Sequence, residues 1–99
     1  MGKTTDDLYL EIVKYGFEHA KEGFQVIDLI NHLKKAGYNG ISETSISLVN
    51  IVNSTTFSTS NLQNFVSDFR FINSVAYFGY LQYMQLIESK KANKLAWYG

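Results

Sequence analysis

The segment SNLQNFVSDFRFIN, residues 60–73, decides how this chain folds. Leu62, Phe65, Val66, Phe69 and Ile72 fit one helical stripe, and Ser60 with Gln63 has the spacing of a capping box. The same residues also alternate, with Phe65, Ser67, Phe69 and Phe71 on one side, and Ser67-Asp68 suits a turn between short strands. A helix here makes the domain all-α with five helices. A short β-hairpin near 64–72 makes it a mixed, mainly helical domain. The two readings stay open at this point.

Downstream the reading is firmer. A long helix is expected from Ser74, its N-cap candidate, to Tyr98, because only Gln82 and Gln85 are plainly polar between Val75 and Ile87. A helix so apolar must be covered on most sides. Phe78 and Leu81 are expected to face the body, with Gly79 permitting close approach. After Ile87 the sequence turns polar, ESKKANK, before Leu95-Ala-Trp-Tyr-Gly.

Upstream, three further elements precede the ambiguous stretch. A first helix is expected over about Thr5 to Lys21, with Thr4 and Asp7 as a capping-box variant and Leu8, Ile12, Tyr15 and His19 on its buried side. Glu11, Lys14, Glu18 and Lys21 form its polar stripe, and Gly23 is the stop. A second helix is expected from Val26 to Ala36, with Val26, Leu29, Ile30 and Leu33 inward and Gly37 as the left-handed cap. Asn39-Gly40 then turns the chain. Ser42 as N-cap would place Ile41 and Ile46 as a hydrophobic staple on a third helix running to Asn53. The polar run NSTTFSTSN, residues 53–61, reads as a loop.

Composition narrows the function classes. Ninety-nine residues fit one domain, and 45% hydrophobic residues with 15% aromatics suffice for a packed core. Nine basic residues balance nine acidic ones, so no overall field draws the chain to nucleic acid or anionic lipid. With no cysteine, disulfide scaffolds, cysteine zinc sites, iron–sulfur clusters and thiol catalysis drop out. The start MGKTTDDLYL lacks the apolar core of a secretory signal, and no apolar run approaches the roughly 20 residues of a membrane span. A cytoplasmic protein is therefore expected.

Helix, helix, capped helix, hairpin and long helix is the order of a winged-helix domain with a C-terminal extension. The stretch FRFINSVAYFGYLQYMQLIESKKANKLAWYG also resembles a pattern of small bacterial membrane-tethered proteins, in which a winged-helix-like cytosolic domain leads through an aromatic helix into a membrane span. Tyr77-Phe78, Tyr80-Leu81, Tyr83, Leu86, Glu88 and Ala92-Asn93 stand at the matching positions, covering the last third of the chain. The resemblance implies a winged-helix-like fold and a place at the cytosolic face of a membrane. It implies no catalytic residue and no substrate, and residues 1–99 contain no such span.

Three candidate surfaces follow. The first is the aromatic helix, with Tyr77, Tyr80, Tyr83, Met84 and Ile87 as an interaction surface, since tyrosine rings with polar tips favour interfaces. The assembly expected from it is a homodimer, the further protein partner being unidentified. The second is a nucleic-acid surface, with Ser42, Thr44, Ser45 and Asn50 reading bases and Lys34, Lys35 and Arg70 on phosphates. Its third helix, however, contains no cation. The third is a juxtamembrane segment, Lys90, Lys91 and Lys94 followed by Trp97 and Tyr98, which requires the protein to continue past Gly99 into a membrane.

Catalysis has less to recommend it. His19 and His32 lie 13 apart, not at metal-ligand spacing, and no partner organises either one. His32 is expected at the surface. Asp6-Asp7 is explained by a helix N-terminus, Gly2-Lys3-Thr4 lacks the rest of a phosphate loop, and Asn53-Ser54-Thr55 is a sequon without secretion. The protein is expected to be no enzyme and to need no cofactor or metal.

Overall fold

The computed structural model describes residues 5–59 and 64–98, with side chains over 7–59 and 64–90. Four helices and three short strands follow in the order α1 (Thr5–Glu18), β1 (Phe24–Gln25), α2 (Val26–Lys35), α3 (Ile46–Val52), β2 (Phe57–Thr59), β3 (Phe69–Ile72) and α4 (Ser74–Tyr98). The fold is mainly helical with a small antiparallel sheet, in which β3 lies between β1 and β2. Phe24 pairs with Arg70 and Gln25 with Phe69 on one side, while Phe57 pairs with Ile72 and Thr59 with Arg70 on the other.

Glycines and caps set the element ends. Gly23 takes a left-handed φ of 74° and its N–H bonds the carbonyl of His19 at 2.8 Å, which ends α1 three residues before the expected Lys21. At the end of α2, Gly37 has a φ of 101°, its N–H bonds Lys34 at 3.3 Å, and the N–H of Tyr38 reaches Leu33 at 3.0 Å. That is the Schellman arrangement, with Tyr38 and Leu33 both buried as its apolar contact.

The core lies between α1, α2, α3 and one face of the sheet. Ile12, Val26, Leu29, Leu33, Leu48 and Val52 are its most enclosed residues. Phe24 and Phe57 meet edge to face at 5.3 Å, and Tyr15 closes on Phe24 at 5.5 Å. No described side chain of α4 is fully buried.

Within the ambiguous stretch, residues 64–72 form turn and strand, against the five-helix alternative. The hairpin is wider than a pair confined to 64–72, because β3 takes its partner from the presumed loop at 57–59. The cause is local chemistry at residues 64–68. Asn64 Oδ1 accepts from the N–H groups of Val66 and Ser67 (3.2 and 3.4 Å), and Asp68 Oδ2 accepts from the N–H of Asn64 at 2.9 Å. These side chains fold the backbone into a turn and deny it to a strand. The capping box of Ser60 and Gln63 and the cap at Thr4 lie outside the described residues.

Two helix starts also differ from expectation. Residues 42–45 form a turn, in which Ser42 donates its N–H to Ser45 Oγ at 3.0 Å, so α3 begins at Ile46 with Ser45 as N-cap. The staple does not form, since Ile46 is 78% exposed. At α4 the cap is Asn73, whose Oδ1 accepts the N–H of Ala76 at 2.8 Å, while Ser74 is the first helical residue. Asn73 also donates from Nδ2 to the carbonyl of Thr55, tying α4 to the segment before β2.

Candidate interaction surface

The working geometry is that of α4 against the body. At about 1.5 Å per residue, its 25 residues span roughly 37 Å. Phe17 stacks on Tyr77 at 4.6 Å and meets Tyr80 at 4.9 Å, whereas Asp7 and Leu10 share a groove of about 440 Å³ with Tyr83, Met84 and Ile87. High numbers of α4 therefore meet low numbers of α1, and the two helices run antiparallel. Continued at that register, the start of α1 lies level with about Ser89. The last nine residues of α4, about 13 Å of helix, project beyond it.

The five residues expected to form the interaction surface divide between the α1 side and the rim of the groove. Tyr77, Tyr80 and Ile87 are half-buried toward α1. Burial pushes the Tyr80 hydroxyl above the usual tyrosine pKa, with Glu18, Glu11 and Tyr83 adding to the shift. Tyr83 and Met84 sit at the rim, exposed but bordering the groove. Leu81 is half-buried. Phe78, expected inward, is 59% exposed, and Val75 and Leu86 are 83% and 54% exposed.

At 3.6 residues per turn, Val75, Gln82 and Leu86 share the side opposite Tyr80 and Met84, with Phe78 at one edge and Gly79 at the other, where it borders a small pocket with Tyr9, Leu10 and Val13 of α1. Their signal was hidden because α4 is apolar all round, so its periodicity points to no single face. Throughout this segment, Ser74 to Ile87, no residue is charged.

The second candidate surface comes apart at Arg70. Expected on phosphates, it is only 2% exposed and sits at the centre of the sheet. Its Nη1 donates to the carbonyls of Phe65 (2.9 Å) and Asp68 (3.3 Å), its Nη2 donates to Asn53 Oδ1 (3.2 Å), and its guanidinium lies 4.9 Å over the Phe65 ring. Desolvation lowers its pKa from the usual arginine value, offset in part by Asp68. Arg70 is a brace for the 64–68 turn, and it also borders a pocket of about 310 Å³ with Asn53, Phe57, Ser58 and Thr59.

The remaining members are dispersed by role. Ser42 and Thr44 are exposed in the turn before α3, Ser45 is half-buried at the cap, and Asn50 is exposed on α3. Lys34 and Lys35 are exposed at the end of α2. From Ala36 to Phe69 the chain has no Lys, Arg or His and two acids, Glu43 and Asp68. An open apolar groove of about 410 Å³ lies on this side, bordered by Glu43, Val49, Phe65 and Val66.

Of the juxtamembrane set, Lys90 is exposed; the backbone of Lys91, Lys94, Trp97 and Tyr98 continues α4, and their side chains lie outside the described residues. Among the described residues no helix is long and apolar enough to cross a membrane.

Both histidines have glutamate partners. His32 is half-buried, not at the open surface, and its Nε2 lies 2.7 Å from Glu11 Oε2, bridging α2 to α1. His19 Nδ1 lies 2.7 Å from Glu22 Oε1, and that hydrogen bond is the main reason the Glu22 carboxyl falls below its ordinary pKa. The Tyr15 ring stands between the two imidazoles, at 4.4 and 4.7 Å. Among the described residues no group of three or more His, Asp or Glu is placed to hold a metal ion. Comparison with family models, curated proteins and solved structures finds no match for the chain.

Proposed function

We propose that this protein is a non-enzymatic interaction module, winged-helix-like in architecture, that self-associates through the outer face of α4. One observation carries the reading. A helix that is apolar on opposite sides needs two neighbours, and the body supplies one, through Phe17 and the α1 groove. Val75, Phe78 and Leu86 form the side left over. Exposed apolar clusters of this kind mark protein contacts more often than scattered surface residues do.

The order of helices and strands, with β3 between β1 and β2, supports the winged-helix comparison. The same order is the argument for the rival reading, a DNA-binding regulator. Charge weighs against the rival: phosphate contacts supply most non-specific affinity, and the run from Ala36 to Phe69 offers no cation. Arg70 is internal, leaving Lys34 and Lys35 alone on that side.

Sedimentation equilibrium on the wild type and on Phe78→Glu and Leu86→Glu tests the reading. Both substitutions point outward, so the expected result is a soluble, folded monomer where the wild type self-associates. Tyr80→Glu, which faces α1, is expected instead to loosen the fold. A wild type that stays monomeric at the highest attainable concentration overturns the proposal, and so do variants that associate as strongly as the wild type.

A further inference from the structure

A guanidinium taken out of water loses hydration that only a counter-ion or a full set of acceptors returns. Buried Arg70 has neither. Nη1 donates to the carbonyls of Phe65 and Asp68, and Nη2 donates to Asn53 Oδ1. All three acceptors are neutral. Among the described residues the ion pairs are those of His19 and His32, so no carboxylate lies within ion-pair distance of Arg70. Its Nε–H and one N–H of Nη2 donate to no described residue.

The spare donor is not sealed in. Among the described residues no enclosed side-chain nitrogen or oxygen lacks a partner, so Nε must keep an opening to solvent. Arg70 borders such an opening, the pocket of about 310 Å³ between the end of α3 and β2. From this geometry we infer that the pocket is a binding site for a small carboxylic acid, with the Arg70 guanidinium as the cation that receives it. No described residue of α4 lines it, so the site is independent of self-association.

The lining suits that ligand. The bond from Arg70 fixes the Asn53 amide with Oδ1 toward the guanidinium, which leaves its Nδ2 donors for another acceptor. Ser58 adds a hydroxyl whose bond to the Phe71 carbonyl, at 3.5 Å, is long enough to give up. Val52 and Phe57 are apolar walls for a hydrocarbon tail. None of the described lining residues is acidic. Burial lowers the Arg70 pKa, another sign of a charge in want of a partner.

Charge and size set the class. One guanidinium balances the single charge of a carboxylate, whereas a phosphate monoester carries about 1.5–2 charges at neutral pH. The volume stands at the lower end of the roughly 300–1,000 Å³ of small-molecule sites, which fits a short-chain acid such as butyrate.

Butyrate is titrated into the isotope-labelled protein at constant ionic strength, with chloride as the balancing anion, while the Arg70 Nε–H and Asn53 Nδ2 resonances are followed. Both are expected to shift together and to saturate with a Kd on the order of millimolar, as fits a ligand of about six heavy atoms. Saturating butyrate is expected to raise the melting temperature. Asn53→Asp keeps an acceptor for Arg70 and sets a fixed carboxylate at the rim, so butyrate should bind this variant roughly tenfold more weakly or not at all. Shifts that do not saturate by about 100 mM overturn the inference, as do shifts that chloride reproduces. Inorganic phosphate binding more tightly than butyrate overturns it too, and so does an affinity unchanged in Asn53→Asp. Each of these outcomes leaves self-association through α4 standing.

Discussion

Replacing Arg70 by methionine isolates what a buried guanidinium contributes to this fold. Methionine keeps part of the apolar stem and removes three donated hydrogen bonds, to Phe65, Asp68 and Asn53. Bonds from a charged donor contribute roughly 1.5–3 kcal/mol each before the burial cost of the charge is set against them. That cost is real here, since desolvation is the main cause of the lowered Arg70 pKa. The carbonyls of Phe65 and Asp68 lie near the surface and regain some hydration. We expect a net loss of about 2 kcal/mol, which in a domain of this size lowers the melting temperature by about 8–16 °C. Urea denaturation gives the free energy, and amide exchange gives the location. The Ile27 N–H, bonded to the carbonyl of Val66 in the braced turn, is expected to exchange faster, while the Tyr38 N–H at the α2 cap is unchanged. A variant within about 0.5 kcal/mol of the wild type, with Ile27 still protected, would refute the reasoning by showing that burial cancels the bonds.

Gly23→Ala should cost at least about 2 kcal/mol, because a Cβ there lies 2.9 Å from the Arg70 carbonyl and 2.6 Å from the Phe71 ring at a left-handed φ. Gly40→Ala, left-handed but open, should cost only about 1 kcal/mol, and equal melting temperatures for the two would remove the steric argument. Phe17→Ala strips the half-buried contact with Tyr77 and Tyr80 and is expected to cost about 2–3 kcal/mol, with α4 amides losing protection before those of α2. Burial raises the pKa of Tyr15, Tyr38 and Tyr80 above 10.0. The folded state therefore holds these protons more tightly than the unfolded state. The stability so gained is complete below pH 10 and is lost as pH rises through the folded-state values. Tyrosinate absorbance should show a late-titrating group of tyrosines that disappears in urea; a single unshifted titration would contradict it.

The sequence was informative where a signal is local. The bounds of α2 and α4 were legible within a residue, because Gly37 closes one and the apolar run with its polar start opens the other. The start of α3 was not, since Ser42 and Ser45 are equivalent as caps and the backbone between them chose a turn. Strand β2 was invisible in NSTTFSTSN: it exists because Phe57 fills the core and its backbone finds β3, a partner some 13 residues away. Arg70 looked like a solvent-facing cation because its acceptors come from residues 53, 65 and 68, which only the tertiary fold assembles. The orientation of α4 was illegible for the opposite reason. With apolar residues at nearly every position, the pattern could not say whether Phe78 or Tyr80 met the body.

The overhang of α4 also governs how the protein behaves in flow. A compact chain of 99 residues has a radius of gyration of about 13 Å, whereas this one has 15.3 Å and extends over 54 × 33 × 18 Å. The ratio cubed is about 1.7. A lone chain of 11.3 kDa thus sweeps out a volume close to that of a globular protein of nearly twice its mass. On a sizing column calibrated with globular standards, the monomer would elute ahead of its mass. Association has to be weighed by scattering or sedimentation, where mass counts and shape does not.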